Sequence, residues 1–88
     1  MFELVPTAQF RKSFKLFRRK HPDLLSTIDD RLELLRKDPN NYRLRSHKLK
    51  GNLAGCMAAS ITYQYRLVFV IERKRIYLLA IGTHDEVY

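Results

Sequence analysis

Three strand-like segments follow one another almost without interruption in the C-terminal part of the chain. Residues 57–63 alternate between apolar and polar side chains, residues 65–72 are rich in branched and aromatic ones, and residues 75–82 are nearly all apolar. Segments of this length with very short connections are typical of antiparallel strands that pair in chain order. The turn over residues 72–75 lacks the glycine that hairpins usually contain. We therefore predict a three-stranded antiparallel meander.

The residues before the meander show the patterns of a short strand and two helices. Residues 2–6 alternate weakly and end at a proline, as a short strand can. Thr7 can cap a helix over residues 8–20, and the pair His21-Pro22 should end it. A second helix is predicted over residues 22–37, before a turn cluster. The apolar stripes consist of Phe10, Phe14 and Phe17 in the first helix and of Leu25, Ile28, Leu32 and Leu35 in the second.

The order of these elements defines the expected fold class. An N-terminal strand, a helical hairpin and a three-strand meander predict an α+β fold with one twisted sheet, covered on one face by the helices. A chain of 88 residues has the size of one domain. We expect residues 1–88 to form that single domain, with room for a shallow site but not for an enclosed cofactor.

Net charge is the strongest signal in the composition. Seventeen Lys and Arg against nine Asp and Glu give a net charge of +8, which attracts polyanions such as RNA, DNA, an anionic membrane or an acidic protein. The single cysteine, Cys56, excludes an internal disulfide and a cysteine-based zinc site. Because the N-terminal residues contain no long apolar segment, we expect no signal peptide, no membrane span and a cytoplasmic location.

Polar candidates for a functional site fall in three places. His47 lies in a basic run, Arg66 lies at the start of the middle meander strand, and His84 and Tyr88 follow the last strand. Since the start of one antiparallel strand lies beside the end of the next, Arg66 and Gly82 should meet at one edge of the sheet. The tail after Gly82 would then fold back near Arg66. The cations of the basic run are Arg43, Arg45, Lys48 and Lys50.

These side chains match what RNA cleavage requires without a metal or a cofactor. The attacking 2′-hydroxyl must lose a proton, the phosphate needs a fixed cation, and the leaving 5′-oxygen needs a proton. An imidazole can give or take protons at neutral pH, and an arginine fork suits a phosphate. Structural alternatives are open as well: Arg66 could pair with Glu72 or Asp85, and His84 could cap a strand.

Tyrosines near Arg66 offer a surface for bases, because an aromatic ring can stack on a base or its hydroxyl can donate a hydrogen bond. Tyr63 and Tyr65 lie two residues apart, so they should share one face of the sheet. Packing in the core and stacking on RNA are equally compatible with that pattern.

Three segments of the chain together resemble a known family. They are HKLKG at 47–51, GCMAASITYQYRLVFVI at 55–71 and LLAIGTHDEVY at 78–88. In order and spacing these segments are similar to the RelE/ParE toxins of bacterial toxin–antitoxin pairs. The closer likeness is to the RelE and YafQ branch of ribosome-dependent messenger-RNA endonucleases, and it covers nearly the whole chain.

The resemblance implies a toxin that enters the ribosomal A site, cuts messenger RNA there and is neutralised by an antitoxin. His47 matches a histidine that takes part in proton transfer, and Arg66 matches an arginine that contacts the scissile phosphate. His84 matches the general acid, and Tyr88 matches a terminal aromatic residue that orients the RNA or assists proton transfer. We expect further RNA contacts from Arg43, Arg45, Lys48, Lys50 and Tyr65.

This chain departs from the YafQ-like pattern at four positions. YafQ-like toxins carry a histidine where this chain has Ser60, an aspartate near Gln64, a tryptophan near Tyr65 and an arginine near Ala80. The identity of the general base is therefore left open by the resemblance.

Two other functions are compatible with the sequence. Some relatives in the broader family inhibit DNA gyrase without cutting RNA, and a plain basic RNA-binding module would cleave nothing. For a toxin of charge +8, we expect the antitoxin to mask the basic groove with an acidic, partly disordered segment in a hetero-oligomer.

Overall fold

A computed structural model describes all of residues 1–88 and shows one five-stranded sheet with two helices packed on one face. The elements along the chain are β1 Glu3–Pro6, α1 Ala8–Lys20, α2 Leu25–Lys37, β2 His47–Lys48, β3 Met57–Ser60, β4 Tyr65–Glu72, β5 Arg75–Thr83 and α3 His84–Val87, with 3-10 turns at Pro22–Leu24, Tyr42–Leu44 and Gly51–Leu53. The strand order is β1-β5-β4-β3-β2. None of the helices has the length and apolar character that crossing a bilayer requires.

The predicted α+β class and the meander are confirmed. Strands β3, β4 and β5 are antiparallel neighbours in chain order, and β1 lies parallel to β5 at the sheet edge. The turn between β4 and β5 is made without glycine because Arg73 adopts a left-handed backbone conformation, with φ 58°. A register shift between Val68 and Phe69 marks a bulge in the β4–β5 ladder, which bends the sheet locally.

Two predicted boundaries were wrong, and one short strand was not predicted. β3 ends at Ser60, not at residue 63, because the chain turns and the N–H groups of Ile61 and Thr62 both donate to the carbonyl of Tyr65. Residues 22–24 form a 3-10 turn before α2 begins. The basic run also contributes the two-residue edge strand β2, which its charged sequence does not predict.

Thr7 fixes the start of α1 against the sheet. Its hydroxyl accepts a hydrogen bond from the N–H of Phe10, as a helix cap does, and donates one of 2.7 Å to the carbonyl of Leu78 in β5. The end of β1, the first turn of α1 and the middle of β5 are therefore held together at one residue.

The core lies between the helices and one face of the sheet. Phe10 and Phe17 from α1 and Ile28 and Leu35 from α2 pack against sheet residues that include Phe69, all of them at most 5% exposed. Alternate residues of a strand point to opposite faces, so the residues between these core positions face away from the helices. The helices leave this second face, which we call the open face, uncovered.

Replacing Phe69 by alanine should remove a large part of the stability of this fold. Phe69 is completely buried, and deletion of a buried phenylalanine side chain costs about 3–5 kcal/mol, out of a total of about 4–13 kcal/mol for a chain of this length. Urea denaturation followed by circular dichroism measures the loss. Tyr42→Ala is the control, because Tyr42 is 84% exposed and its removal should change the unfolding free energy by about 0.5 kcal/mol or less. Equal effects of the two changes would contradict this placement of the core.

Candidate functional site

The register of β4 and β5 brings the chain end to Arg66. Arg66 lies directly opposite Gly82 in β5 and opposite Ser60 in β3. Directly paired residues on antiparallel strands share one face, so all three lie on the open face. Gly82 is buried, and a Cβ atom there would lie 3.1 Å from the side chain of Glu86. A glycine at this position lets α3 pack closely against the end of the sheet.

A capping box holds the last five residues against the end of β5. The hydroxyl of Thr83 accepts from the N–H of Glu86 at 3.3 Å, and the carboxylate of Glu86 accepts from the N–H of Thr83 at 2.8 Å. The N–H of Tyr88 donates to the carbonyl of His84 at 3.0 Å. These hydrogen bonds to Thr83 keep the pKa of Glu86 below its ordinary value. The tail is thus a short helix, which the sequence reasoning expected only to fold back.

His84 and Tyr88 form one aromatic pair on this short helix. Their ring centroids lie 4.3 Å apart in an edge-on arrangement, and the side chain of His84 remains 69% exposed. The Nδ1 atom of His84 faces a carboxylate oxygen of Asp85 at 3.5 Å. Burial raises the pKa of the Tyr88 phenol, and the charge of Arg66 partly opposes this. Tyr88 is therefore a neutral phenol at physiological pH and lies within the field of Arg66.

Arg66 is positioned by backbone carbonyls and makes no ion pair. Its Nη1 atom donates to the carbonyls of Thr62, Tyr63 and Tyr65 at 2.8, 2.9 and 3.3 Å. Glu72 and Asp85, the alternative partners suggested by the sequence, form no ion pair with it. The carbonyls hold one edge of the guanidinium, and its positive charge is left without a carboxylate partner.

An open cleft connects these groups, with a volume of about 460 Å³. We call it the C-terminal cleft, and it is lined by Tyr63, Gln64, Tyr65, Arg66, Thr83, His84 and Asp85. The structure therefore brings Arg66 and His84 together as predicted from the strand order, with Tyr88 packed on His84. Such a cleft can hold an anion between a guanidinium and an imidazole.

His47 lies on the open face but outside this cleft. It pairs with Ala58, which pairs with Val68, two residues from Arg66 on β4. Two strand spacings and two residues along a strand separate the Cα atoms of His47 and Arg66 by about 12 Å. The Nδ1 atom of His47 lies 3.2 Å from the carbonyl oxygen of Arg45. A carbonyl only accepts, so Nδ1 carries the proton in the neutral ring and Nε2 keeps a free lone pair.

The predicted RNA-binding residues divide between two regions. Arg43 and Arg45 line a second cleft that also contains Arg66. Lys48 and Lys50 are exposed on β2 and directly after it. These four cations therefore lie on the side of Arg66 that is opposite the chain end.

The expectation that Tyr63 and Tyr65 share a sheet face was wrong. Tyr63 lies in the turn after β3 and is 93% exposed. Tyr65 begins β4, and its ring packs against those of Phe17 and His21, with a hydrogen bond of 2.6 Å between its hydroxyl and Nε2 of His21. The turn over residues 61–64 breaks the alternation, so the exposed aromatic ring belongs to Tyr63.

The positions that depart from the YafQ-like pattern surround Arg66. Ser60 faces Arg66 across the β3–β4 ladder, Gln64 lines the C-terminal cleft, and Ala80 lies opposite Val68. No three His, Cys, Asp or Glu side chains lie close enough together to hold a metal ion.

Two features of the site were missed by the sequence reasoning. The spacing of Thr83 and Glu86 is that of a capping box and could have been recognised. Arg31 in α2 lines the second cleft together with Arg43, Arg45 and Arg66. A cation in the middle of an amphipathic helix carries no sequence signal that separates it from solvent-exposed charge.

Residues 2–88 match the family model described as the YafQ bacterial toxin of type II toxin–antitoxin systems. The crystal structure of YafQ from E. coli is similar over 100% of this chain and 99% of its own, with 20% identity and a TM-score of 0.86. No curated protein sequence gives a match.

Two further crystal structures have the same fold. A copper-bound mutant toxin from Helicobacter pylori is 28% identical, with 100% of both chains covered and a TM-score of 0.81. The E. coli DinJ–YafQ complex matches at 20% identity over 100% of this chain and 99% of the other, with a TM-score of 0.83. These likenesses confirm the RelE-like architecture predicted from the sequence.

Replacing Thr83 by alanine should release the chain end. The change removes the hydroxyl that caps α3, at a cost of about 1 kcal/mol, while the backbone N–H of Thr83 stays available to Glu86. We expect faster amide hydrogen exchange at Glu86 and Tyr88, measured by NMR, with little change in the core strands. Thr83→Ser retains the hydroxyl and is the matched control. Equal exchange in both variants would contradict the role of the cap.

The hydrogen bond from the Thr83 N–H to the Glu86 carboxylate should be lost at low pH. The folded pKa of Glu86 is depressed, so its contribution to stability is present above the unfolded pKa and is lost as pH falls through the lower folded value. An NMR titration of the Glu86 carboxyl carbon and the Thr83 amide should give one midpoint below that of glutamate in an unstructured peptide. In Glu86→Gln the Thr83 amide should no longer titrate. A midpoint at or above the peptide value would contradict the capping interaction.

Proposed function

The chain belongs to the YafQ family of bacterial type II toxin–antitoxin toxins, and from this premise we propose that it is an endoribonuclease that cleaves messenger RNA in the ribosome. One observation carries the proposal: the unpaired guanidinium of Arg66 shares a cleft with the exposed imidazole of His84. The net charge of +8 supports an RNA substrate.

Arg66 holds the scissile phosphate. Negative charge gathers on the phosphate oxygens in the transition state, and a fixed cation that needs no reorganisation stabilises it best. Three carbonyls fix the Nη1 side of Arg66, so the rest of its fork can donate to two phosphate oxygens. Bonding to these carbonyls also pre-orients the group before RNA arrives.

His84 serves as general acid for the leaving 5′-oxygen. It lies on the same cleft as Arg66 and is exposed to an incoming strand. Positioned acid–base groups contribute typically about 10²–10⁴-fold to a rate. The neutral phenol of Tyr88 packs against the His84 ring, and it orients this ring and can donate a hydrogen bond to the RNA.

His47 is our candidate for the general base. Its Nε2 lone pair is free because Nδ1 faces the carbonyl of Arg45, and the ring is exposed on the open face. On RNA binding the two side chains would extend toward each other across β3, which would bring Nε2 of His47 to the 2′-hydroxyl next to the phosphate held by Arg66. Removal of the 2′-hydroxyl proton by His47, attack of that oxygen on phosphorus and protonation of the 5′-oxygen by His84 give a 2′,3′-cyclic phosphate and a 5′-hydroxyl.

The proposed function also implies three binding partners: the ribosome, the message and an antitoxin. The ribosome would present the message in the cytoplasm, and the cations Arg43, Arg45, Lys48 and Lys50 would hold its backbone. The DinJ–YafQ complex supports a cognate antitoxin for this chain as well. Charge complementarity favours an acidic antitoxin segment over the basic open face. Co-expression with the adjacent open reading frame tests this, and failure to co-purify would contradict it.

His84→Ala should relieve growth arrest after induction while leaving the protein folded. We expect a fall in cleavage rate of about 10²–10⁴-fold, measured by primer extension on a translated message. Asn52→Ala, in the exposed Gly51–Leu53 turn, is the control and should remain toxic. Full toxicity of His84→Ala would contradict the assignment of the general acid. Toxicity that survives loss of both His47 and His84, together with reduced DNA supercoiling, would instead support gyrase inhibition.

The cleavage products provide a second test. Attack by the internal 2′-hydroxyl should leave 2′,3′-cyclic phosphate ends on the upstream fragment and 5′-hydroxyl ends on the downstream one. Mass spectrometry of the cleaved message identifies these ends. Products with 5′-phosphate ends would indicate attack by water and would contradict the proposed reaction.

A further inference from the structure

Four arginines converge on a second cleft beside the proposed catalytic one. Arg31 from α2, Arg43 and Arg45 from the segment before β2, and Arg66 from β4 line a depression of about 330 Å³. We call it the arginine cleft, and the remaining lining residues are Ser60, Ile61, Thr62 and Tyr63. None of the lining residues is acidic, so a strong positive field is focused in a concave surface.

Few of these charges are compensated within the protein. Arg43 meets Asp30 at 4.0 Å, at the limit of an ion pair, and both side chains are largely exposed. Arg31, Arg45 and Arg66 form no ion pair. Arginines placed together without carboxylates repel one another, and an anion in the cleft would relieve that repulsion.

The surroundings of Arg31 give the most specific support for an anion in this cleft. Its Nε atom is buried and has no hydrogen-bond partner, the only such side-chain atom in the protein. Buried donors are nearly always paired, because an unpaired one loses its water without gaining an acceptor. The buried Nε atom itself cannot meet a ligand, but the Nη atoms of the same guanidinium are neither buried nor hydrogen-bonded, so they can donate to an acceptor that arrives with a ligand. Phosphate oxygens are the acceptors that match its planar fork.

The arginine cleft adjoins the C-terminal cleft. Arg66 and Tyr63 line both of them, so a chain of phosphates could pass from His84 past Arg66 to Arg31. Tyr63 projects at this junction with 93% of its surface exposed. An exposed ring between two anion sites can stack on a base of a single strand that tracks the backbone cations.

We propose that the arginine cleft is a second phosphate subsite, which binds a phosphodiester group of the substrate RNA strand next to the scissile one, with Tyr63 stacked on the base between them. This inference rests on the proposed function, since it extends the path of the same RNA. Arg31 is a binding residue of this subsite and takes no part in the proton transfers.

Arg31→Met tests the subsite through binding. The probe is a fluorescent 2′-O-methyl RNA hexamer, which cannot be cleaved because the attacking hydroxyl is blocked. We expect about 3- to 10-fold weaker binding and a salt dependence reduced by about 0.7 log units per decade of salt, as for one lost phosphate contact. Arg11→Met removes the same charge from the exposed face of α1 and should leave the salt slope of wild type.

Thermal melting separates binding from a structural role. Because Arg31→Met removes an unpaired buried donor, its melting temperature should equal or exceed that of wild type. A melting temperature several degrees lower would show that Arg31 holds the fold and would overturn its assignment. Arg45→Met, at an exposed position of the same cleft, should weaken hexamer binding without changing stability, and unchanged binding in this variant would also contradict the subsite.

Other outcomes separate this inference from the proposed function. If His84→Ala abolishes cleavage but Arg31→Met binds and cleaves like wild type, the subsite is wrong and the endoribonuclease stands. If the protein cleaves no message but Arg31→Met binds the hexamer selectively worse, the endoribonuclease and the position of the subsite next to a scissile group are wrong, and only RNA phosphate binding in the arginine cleft stands. A loss confined to binding of ribosomes, with hexamer binding unchanged, would place ribosomal RNA in the cleft and overturn the substrate assignment.

Discussion

The pairing of β4 with β5 is the constraint on which the rest of the site depends. This ladder runs from Tyr65 opposite Thr83 to Glu72 opposite Arg75, and its backbone hydrogen bonds fix Arg66 beside Gly82. Because His84 and Tyr88 lie two and six residues after Gly82, the same register limits how far from Arg66 these two side chains can lie. A shift by one residue would turn Arg66 toward the helices and separate the two groups.

The division of the sheet into a covered and an open face determines where the charge can act. The helices bury the apolar residues of one face, among them Leu67 and Phe69. Arg66 and His47 lie on the other face, where no helix competes with a ligand. On this open surface, binding of an anion would depend on the concave cationic surface and on fixed donors such as the carbonyl-held Arg66.

The strand and helix positions were largely predictable from the sequence, because hydrophobic periodicity reports directly on burial. The meander, α1 with its Thr7 cap and the α+β class followed from such patterns. The element boundaries that were predicted wrongly lie where local geometry overrides the hydrophobic pattern. The turn over residues 61–64 depends on hydrogen bonds to the carbonyl of Tyr65, and β2 is held by its pairing with β3, not by the propensity of His47 and Lys48.

The sequence by itself determined the order of the elements, the excess of positive charge and, through strand order, the meeting of Arg66 with the chain end. Only the tertiary structure decided that Tyr63 and not Tyr65 is exposed, that Arg66 is held by carbonyls, and that Arg31 joins the arginines of the second cleft. The physical reason is that hydrophobic periodicity indicates which residues of a single helix or strand are buried. Side chains from α2, β4 and the loops converge because of packing and turn geometry. No local sequence pattern predicts that convergence.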